Sequence, residues 1–162
     1  MKMVGQDMDS PGPLRRVLFV CCHNSARSQM AEAILNARYG SRFEAFSAGT
    51  EPSPQVDPLA VKAMHEIGLD ISGKRTKSVD EFIRDRMEFD YVVTTCYEAR
   101  QFCPYIPAPE QVHARFDNPH NPAEGEDQLD AMRRVRDQIV DWVVRFFGPR
   151  TTLLELEKEK EG

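Results

Sequence analysis

The chain has 162 residues, 41% of them hydrophobic and 29% charged, with a net charge of −5. This is the size of one domain, long enough to bury a core without disulfide or metal staples. The acidic balance speaks against a general nucleic-acid binder, and no run of ~18 apolar residues is present to cross a membrane. The opening MKMVGQDMDSPGP lacks the apolar stretch of a secretory signal, so the expected compartment is the cytoplasm. There the four cysteines are expected to be catalytic, metal-binding or inert rather than paired in structural disulfides.

Residues 1–14 carry no periodicity and read as a flexible leader. Val17-Leu18-Phe19-Val20 is a short apolar run, the pattern of a buried strand, and leads directly into Cys21-Cys22-His23-Asn24-Ser25-Ala26-Arg27-Ser28. Met30, Ala33, Ile34 and Ala37 then mark one face of a helix ending at Gly40. Phe43 to Ala48 predicts a second strand, and Pro52 to Pro58 a loop. Ala60, Ala63, Met64 and Ile67 predict a helix stopping at Gly68, and Val79, Phe82 and Ile83 another short one. Tyr91 to Thr95 predicts a third strand running into Cys96. Glu98 to Phe102 reads as helical before Pro104, and Val112 to Phe116 as a fourth strand. Leu129, Met132, Val135, Ile139, Val143 and Phe146 step by three or four along a long last helix, closed by Gly148-Pro149. Residues 15–148 thus form the domain, and 149–162 a charged tail expected to fray.

Strands alternating with helices predict a single α/β domain with a parallel sheet. Ligands of such sheets sit beyond the carboxyl ends of the strands. Cys21 and Cys96 fall at such ends, and Asp117 follows the fourth apolar run, so three reactive groups are expected on one edge.

Cys21 and Arg27 are separated by five residues between a strand and a helix. A loop of this kind can turn its N–H groups inward, and the helix behind it adds free N–H groups and the positive end of its dipole. Cys22, His23, Asn24, Ser25, Ala26, Arg27 and Ser28 would then cradle a tetrahedral oxyanion. Arg27 would supply a planar charged fork, and Cys21 would be a nucleophilic thiolate. Asn24 is suited to a left-handed backbone conformation, Ser28 to a hydrogen bond onto the sulfur, and a protonated His23 to raising the loop's potential. The plainer alternative is a buried cysteine and an unrelated arginine.

The stretch VLFVCCHNSARSQMAEAILN resembles the phosphate-binding loop of low-molecular-weight protein tyrosine phosphatases, and more closely that of their arsenate reductase relatives. The resemblance continues through FSAGTEPS, PLAVKAMHEIGLDISGKRTKSVDEF, FDYVVTTCYEARQFCP, RFDNP and RRVRDQI, over roughly residues 15–147. It implies a four-stranded parallel sheet flanked by helices.

Cys96 and Cys103 would lie about 10.5 Å apart along a helix axis at 1.5 Å per residue, too far for a disulfide, which needs Cα atoms within ~7 Å. They can pair only if the segment between them unwinds. Spacing alone leaves open that both are inert. The resemblance to thioredoxin-coupled arsenate reductases implies a relay: Cys21 attacks arsenate, Cys96 attacks Cys21 and releases arsenite, and Cys103 takes over Cys96. Thioredoxin would then reduce the Cys96–Cys103 pair.

The same resemblance implies an aspartate before a proline as proton donor. Here Asn118 precedes Pro119, which moves the candidate to Asp117; a turn or helix-capping role is the alternative. Some members bind potassium beside the loop. The matching positions are Asn24, Glu32 and Ser47, and Lys77 stands where a further aspartate would be, so its ammonium is expected to replace the cation and no metal is required. His65 is expected at the surface, His113 and His120 beside Asp117, and Trp142 in the core or at an interface. No C-x2-C or H-x3-H pair suggests zinc, and no glycine-rich nucleotide loop suggests a cofactor.

Three readings follow. One is arsenate reductase, with an oxyanion and thioredoxin or another thiol donor as partners. Another is a phosphatase using Cys21, Arg27 and an aspartate on a phosphate monoester; His120-Asn121-Pro122, where aromatic residues would be expected, counts against it. The last is a redox sensor or oxyanion-binding regulator without turnover. A monomer is expected.

Overall fold

The computed structural model describes residues 12–149; the rest of the expected leader and the charged tail lie outside them. The chain runs β1 (Arg15–Cys21), α1 (Arg27–Tyr39), β2 (Phe43–Gly49), α2 (Pro58–His65), α3 (Val79–Arg84), β3 (Tyr91–Thr94), α4 (Tyr97–Phe102), β4 (Glu110–His113) and α5 (Gln128–Phe147). The four strands form one parallel sheet in the order β2-β1-β3-β4. The chain steps from β1 to β2 on one side and on to β3 on the other. The order therefore reverses at β1, and the crevice at such a reversal is where α/β sheets bind ligands. The loops after β1 and β3 open at that point.

β1 is buried on both faces, which explains its unbroken apolar run. Val17 and Phe19 face a core shared with Met30, Ile34, Val135 and Ile139 of α1 and α5. Leu18 and Val20 face a second core with Phe82, Phe89, Val92 and Cys96. β2 is an edge strand, and Asn36 of α1 occupies part of its open ladder: its side chain accepts from Ala45 N at 2.8 Å and donates to Ala45 O at 3.1 Å.

Three expectations need correction. The fourth strand is Glu110–His113, not 112–116. Its ladder pairs Glu110–His113 with Tyr91–Thr94, and the exposed Glu110 and Gln111 hide this edge strand from a search for apolar runs. The second helix ends at His65, two residues before Ile67, which is 41% exposed in the following turn. In α5 the buried stripe steps from Val143 to Phe147, 3% exposed, whereas Phe146 is 42% exposed and stacks on Trp142 with centroids 4.7 Å apart.

α2 and α5 are tied by charge. Glu66 just past α2 accepts from Arg133 Nη2 at 2.6 Å and from Arg136 Nη1 at 2.9 Å, and the buried Arg136 also donates to Ala63 O at 2.8 Å. Hydrogen bonds from Arg133, then Arg136, hold the Glu66 carboxyl down at about 2, from 4.5. A depressed carboxyl stabilises the fold above its unfolded value, and that contribution disappears as pH falls from about 4.5 through 2. Glu66→Gln should therefore lower Tm at pH 7. In thermal melts across pH, its deficit against the parent should shrink below pH 4.5 and close near pH 2.

Candidate active site

β1 ends at Cys21, and the chain turns through residues 22–26 before α1 begins. The loop's carbonyls are taken up on its outer side. Cys21 O, Cys22 O, His23 O and Ser25 O accept from the N–H groups of Thr50, Glu51, Ser53 and Asp57, at 3.1, 2.7, 2.9 and 2.9 Å. A trans peptide sets each C=O opposite the next N–H. The N–H groups of Cys22, His23, Asn24 and Ala26 are thereby turned toward the inner hollow. That of Asn24 reaches Cys21 Sγ at 3.1 Å. Asn24 has φ 52°, the left-handed conformation expected of it. Gly49 makes this close approach possible: a Cβ there would lie 2.6 Å from Cys22 O.

A chain of buried side chains orients the sulfur's other donor. Asn24 Oδ1 accepts from Gln29 Nε2 at 3.0 Å and from Lys77 N at 2.9 Å. Its amide nitrogen is then left to donate to Ser28 Oγ at 2.8 Å. Ser28, already an acceptor, has its own proton free for Cys21 Sγ at 2.8 Å. Ser28, Gln29 and Asn24 are all fully buried, so each lost partner leaves an unsatisfied group.

α1 starts at Arg27 with no side-chain cap and no acidic residue in its first turn, which leaves its N–H groups and dipole facing the hollow. Arg27 is half-buried and makes no ion pair among the described residues. It lines two cavities. One, about 140 Å³, is walled by Cys21, Cys22, Ser25, Ala26, Asn118 and His120. The other, about 380 Å³, is walled by Cys96, Tyr97, Arg100, His113, Arg115 and Asp117.

Cys96 is buried and caps α4, its sulfur accepting from Ala99 N at 3.4 Å. Cys103 closes the other end of that six-residue helix and donates to Pro104 O at 3.3 Å; burial pushes its thiol up to about 11. All four cysteines are free. Cys22 leans toward Cys96, and burial together with that neighbour pushes its thiol to about 11. His23 is exposed, its ring against Glu51 O at 3.1 Å. Asp117 shares the larger cavity with Arg27, and Arg134 and Gln138 donate to its carboxylate at 2.7 and 2.9 Å. His113 is set against Thr94 Oγ1 at 2.8 Å; burial, then Arg100 and Arg115, lower its pKa.

Two parts of this site escaped the sequence reading. The strap of residues 49–57 is one, and its signal lay only in the matched FSAGTEPS. The other is Asp57, whose N–H holds Ser25 and whose side chain caps α2 and binds His120. It ties the loop bearing Asp117 to the loop bearing Cys21.

A family model described as low molecular weight phosphotyrosine protein phosphatase matches residues 16–159. The chain belongs to this family. The arsenate reductase of Halalkalibacterium halodurans is 43% identical over 126 residues, 76% of this chain and 88% of that one. The structure of an arsenate reductase from Archaeoglobus fulgidus matches with TM-score 0.65 and 36% identity, over 82% of this chain and 99% of that one. A thioredoxin-dependent arsenate reductase of Corynebacterium glutamicum matches with TM-score 0.57 and 31% identity, over 84% and 63%.

Asn24, Glu32, Ser47 and Lys77, the positions that the resemblance ties to potassium in some members of the phosphatase family, lie together beneath the loop. Ser47 Oγ donates to the buried Glu32 at 2.8 Å. Lys74 and Lys77 place their ammonium groups 3.3 and 3.8 Å from the Glu32 carboxylate. Burial lowers the Lys77 pKa, and Glu32 opposes that shift. Two ammonium groups thus set positive charge against the buried Glu32 carboxylate.

Asn24→Ala would leave one acceptor position of Ser28, one amide proton of Gln29 and the Lys77 N–H unpaired at once. At ~1–3 kcal/mol for a buried group left unpaired, phosphate should protect Cys21 from alkylation about tenfold less well or worse. Mapping alkylated Cys21 by mass spectrometry against phosphate concentration checks this.

Proposed function

We propose that this chain reduces arsenate to arsenite, with Cys21 as nucleophile, Cys96 and Cys103 as the relay, and a thioredoxin-type dithiol as electron donor. The observation that carries the reading is the position of Arg27 between two cavities, one bearing Cys21 and the other Cys96. An oxyanion held by that guanidinium and the inward N–H groups would lie against Cys21, with Cys96 in the adjoining cavity.

Cys21 attacks arsenic(V) and displaces one oxygen as water or hydroxide, forming a sulfur–arsenic bond. Cys96 thiolate attacks the Cys21 sulfur. The S–S bond forms, the S–As bond breaks, and its electron pair leaves with arsenic(III) as arsenite. Cys103 thiolate then attacks Cys96, freeing Cys21 and leaving a Cys96–Cys103 disulfide. One dithiol supplies the two electrons that arsenate needs.

The last exchange requires α4 to open. The helix has six residues and a sulfur as its N-cap, a weak acceptor, so it has little cooperative stability of its own. Tyr97, Phe102 and Tyr105 on and beside it are 65, 68 and 74% exposed, an apolar surface suited to a docking donor protein. The thioredoxin-dependent relative supports this choice of donor.

Asp117 is assigned the proton donor to the departing oxygen. Its carboxylate accepts from Arg134 and Gln138, which fix it at the rim of the cavity that Arg27 also lines. Asp117→Asn should lower arsenate turnover by ~10²-fold, the lower end for a general acid. An unchanged rate would leave Asp117 as the anchor of Arg134 alone.

Hydrolysis of a phosphate monoester would use the same Cys21 and Arg27 and leave Cys96 and Cys103 reduced. One arsenate turnover without thioredoxin, acid-quenched and mapped by mass spectrometry, separates the two readings. The reductase loses two thiols per chain and shows Cys96–Cys103, and Cys103→Ser stops at Cys21–Cys96. A hydrolase keeps all four thiols. With Cys103 held at about 11, formation of the second disulfide should quicken as pH rises from 6 toward 9, since the reactive thiolate fraction grows with pH.

A further inference from the structure

We propose that Cys22, Cys96 and Glu98 form a binding site for a thiophilic divalent cation, zinc or cadmium, beside the oxyanion hollow. One ligand atom from each of the three lies within 4.8 Å of those of the other two. In a tetrahedral zinc–thiolate site with bonds of about 2.3 Å, the sulfurs stand ~3.8 Å apart. Closing on an ion therefore takes side-chain movements of about 1 Å.

The two thiols stand just past the ends of neighbouring strands. Cys22 follows the end of β1 and Cys96 lies just past β3; these strands are neighbours in the sheet, with Val20 opposite Thr94. Glu98 is exposed on the first turn of α4 and lines both cavities, which gives an ion its entry path and leaves the fourth position to water. As anions the three groups repel one another, and a divalent cation between them removes that repulsion. Binding releases a proton from each thiol that ligates and transfers no electrons.

The other two sulfurs are engaged elsewhere, Cys21 with Ser28 and Asn24, and Cys103 with Pro104 O. A search for short-spaced zinc ligands passes over this site because Cys22 lies far from the Cys96-Tyr97-Glu98 segment in the sequence. A bound ion would withdraw Cys96 from the relay and inhibit turnover reversibly; that consequence alone rests on the reductase reading.

The test uses the reduced full-length chain. Cadmium is titrated while the sulfur-to-metal charge-transfer absorbance is followed, and zinc affinity is measured by competition with a chromogenic chelator. One ion per chain is expected, with absorbance for two thiolates. Cys22→Ser and Glu98→Gln should each weaken zinc binding by at least about tenfold, the scale on which even residues behind the ligands act, and Cys103→Ser should leave it unchanged. Cysteine alkylation of the wild-type chain, mapped by mass spectrometry, should show zinc protecting Cys22 and Cys96 but not Cys103. That measurement decides the matter if Cys22→Ser does not fold. Wild-type affinity in Cys22→Ser or Glu98→Gln, or protection that falls on Cys103 in place of Cys22, would overturn the site. None of these readouts depends on arsenate turnover.

Discussion

Everything at the site depends on where the carbonyls of residues 21–25 go. A short loop between a strand and a helix has more backbone polar groups than it can pair within itself, and buried ones must be paired. Here the strap after β2 takes four of them on the outside. The peptide planes then turn the opposite N–H groups to the inside without any charged side chain. Gly49 lets the strap approach, and Asp57 ends it by holding Ser25 and His120 together. The anion hollow is thus a by-product of satisfying the loop's own acceptors, and β2 is as much a part of it as β1.

Such a hollow suits two chemistries, since a sulfur, inward N–H groups and a guanidinium match phosphate and arsenate alike. The second strand end adds two more thiols. Cys96 is buried one strand over from Cys21, and Cys103 lies at the far end of the short α4. The proposed relay needs this helix to open, and six residues with a sulfur at the N-cap oppose that only weakly.

Much of this was legible in the sequence because the pattern and the physics coincide. The double-sided burial of β1 writes an unbroken apolar run, and the five residues from Cys21 to Arg27 mark the loop. Asn24 and Ser28 take the places expected of them. What stayed hidden was written in polar residues. β4 begins at Glu110 and Gln111, which no apolar pattern finds. α1 buries Ser28, Gln29 and Glu32 on its inner face, so its hydrophobic stripe is faint where its function is greatest. The Asp57–His120 contact and the approach of Cys22 to Cys96 join distant segments and leave no local trace. The hold of Arg134 and Gln138 on Asp117 likewise left no local trace.

The central claim is that this phosphatase-like loop is wired for electrons. Its most direct test is NADPH oxidation in the presence of thioredoxin and thioredoxin reductase, started with arsenate and compared with hydrolysis of an aryl phosphate under the same conditions. The account predicts NADPH consumption that requires arsenate, matches the arsenite formed one for one, and far outpaces aryl phosphate hydrolysis. Brisk hydrolysis with no arsenate-dependent oxidation would contradict it and leave Cys96 and Cys103 without a part in the reaction.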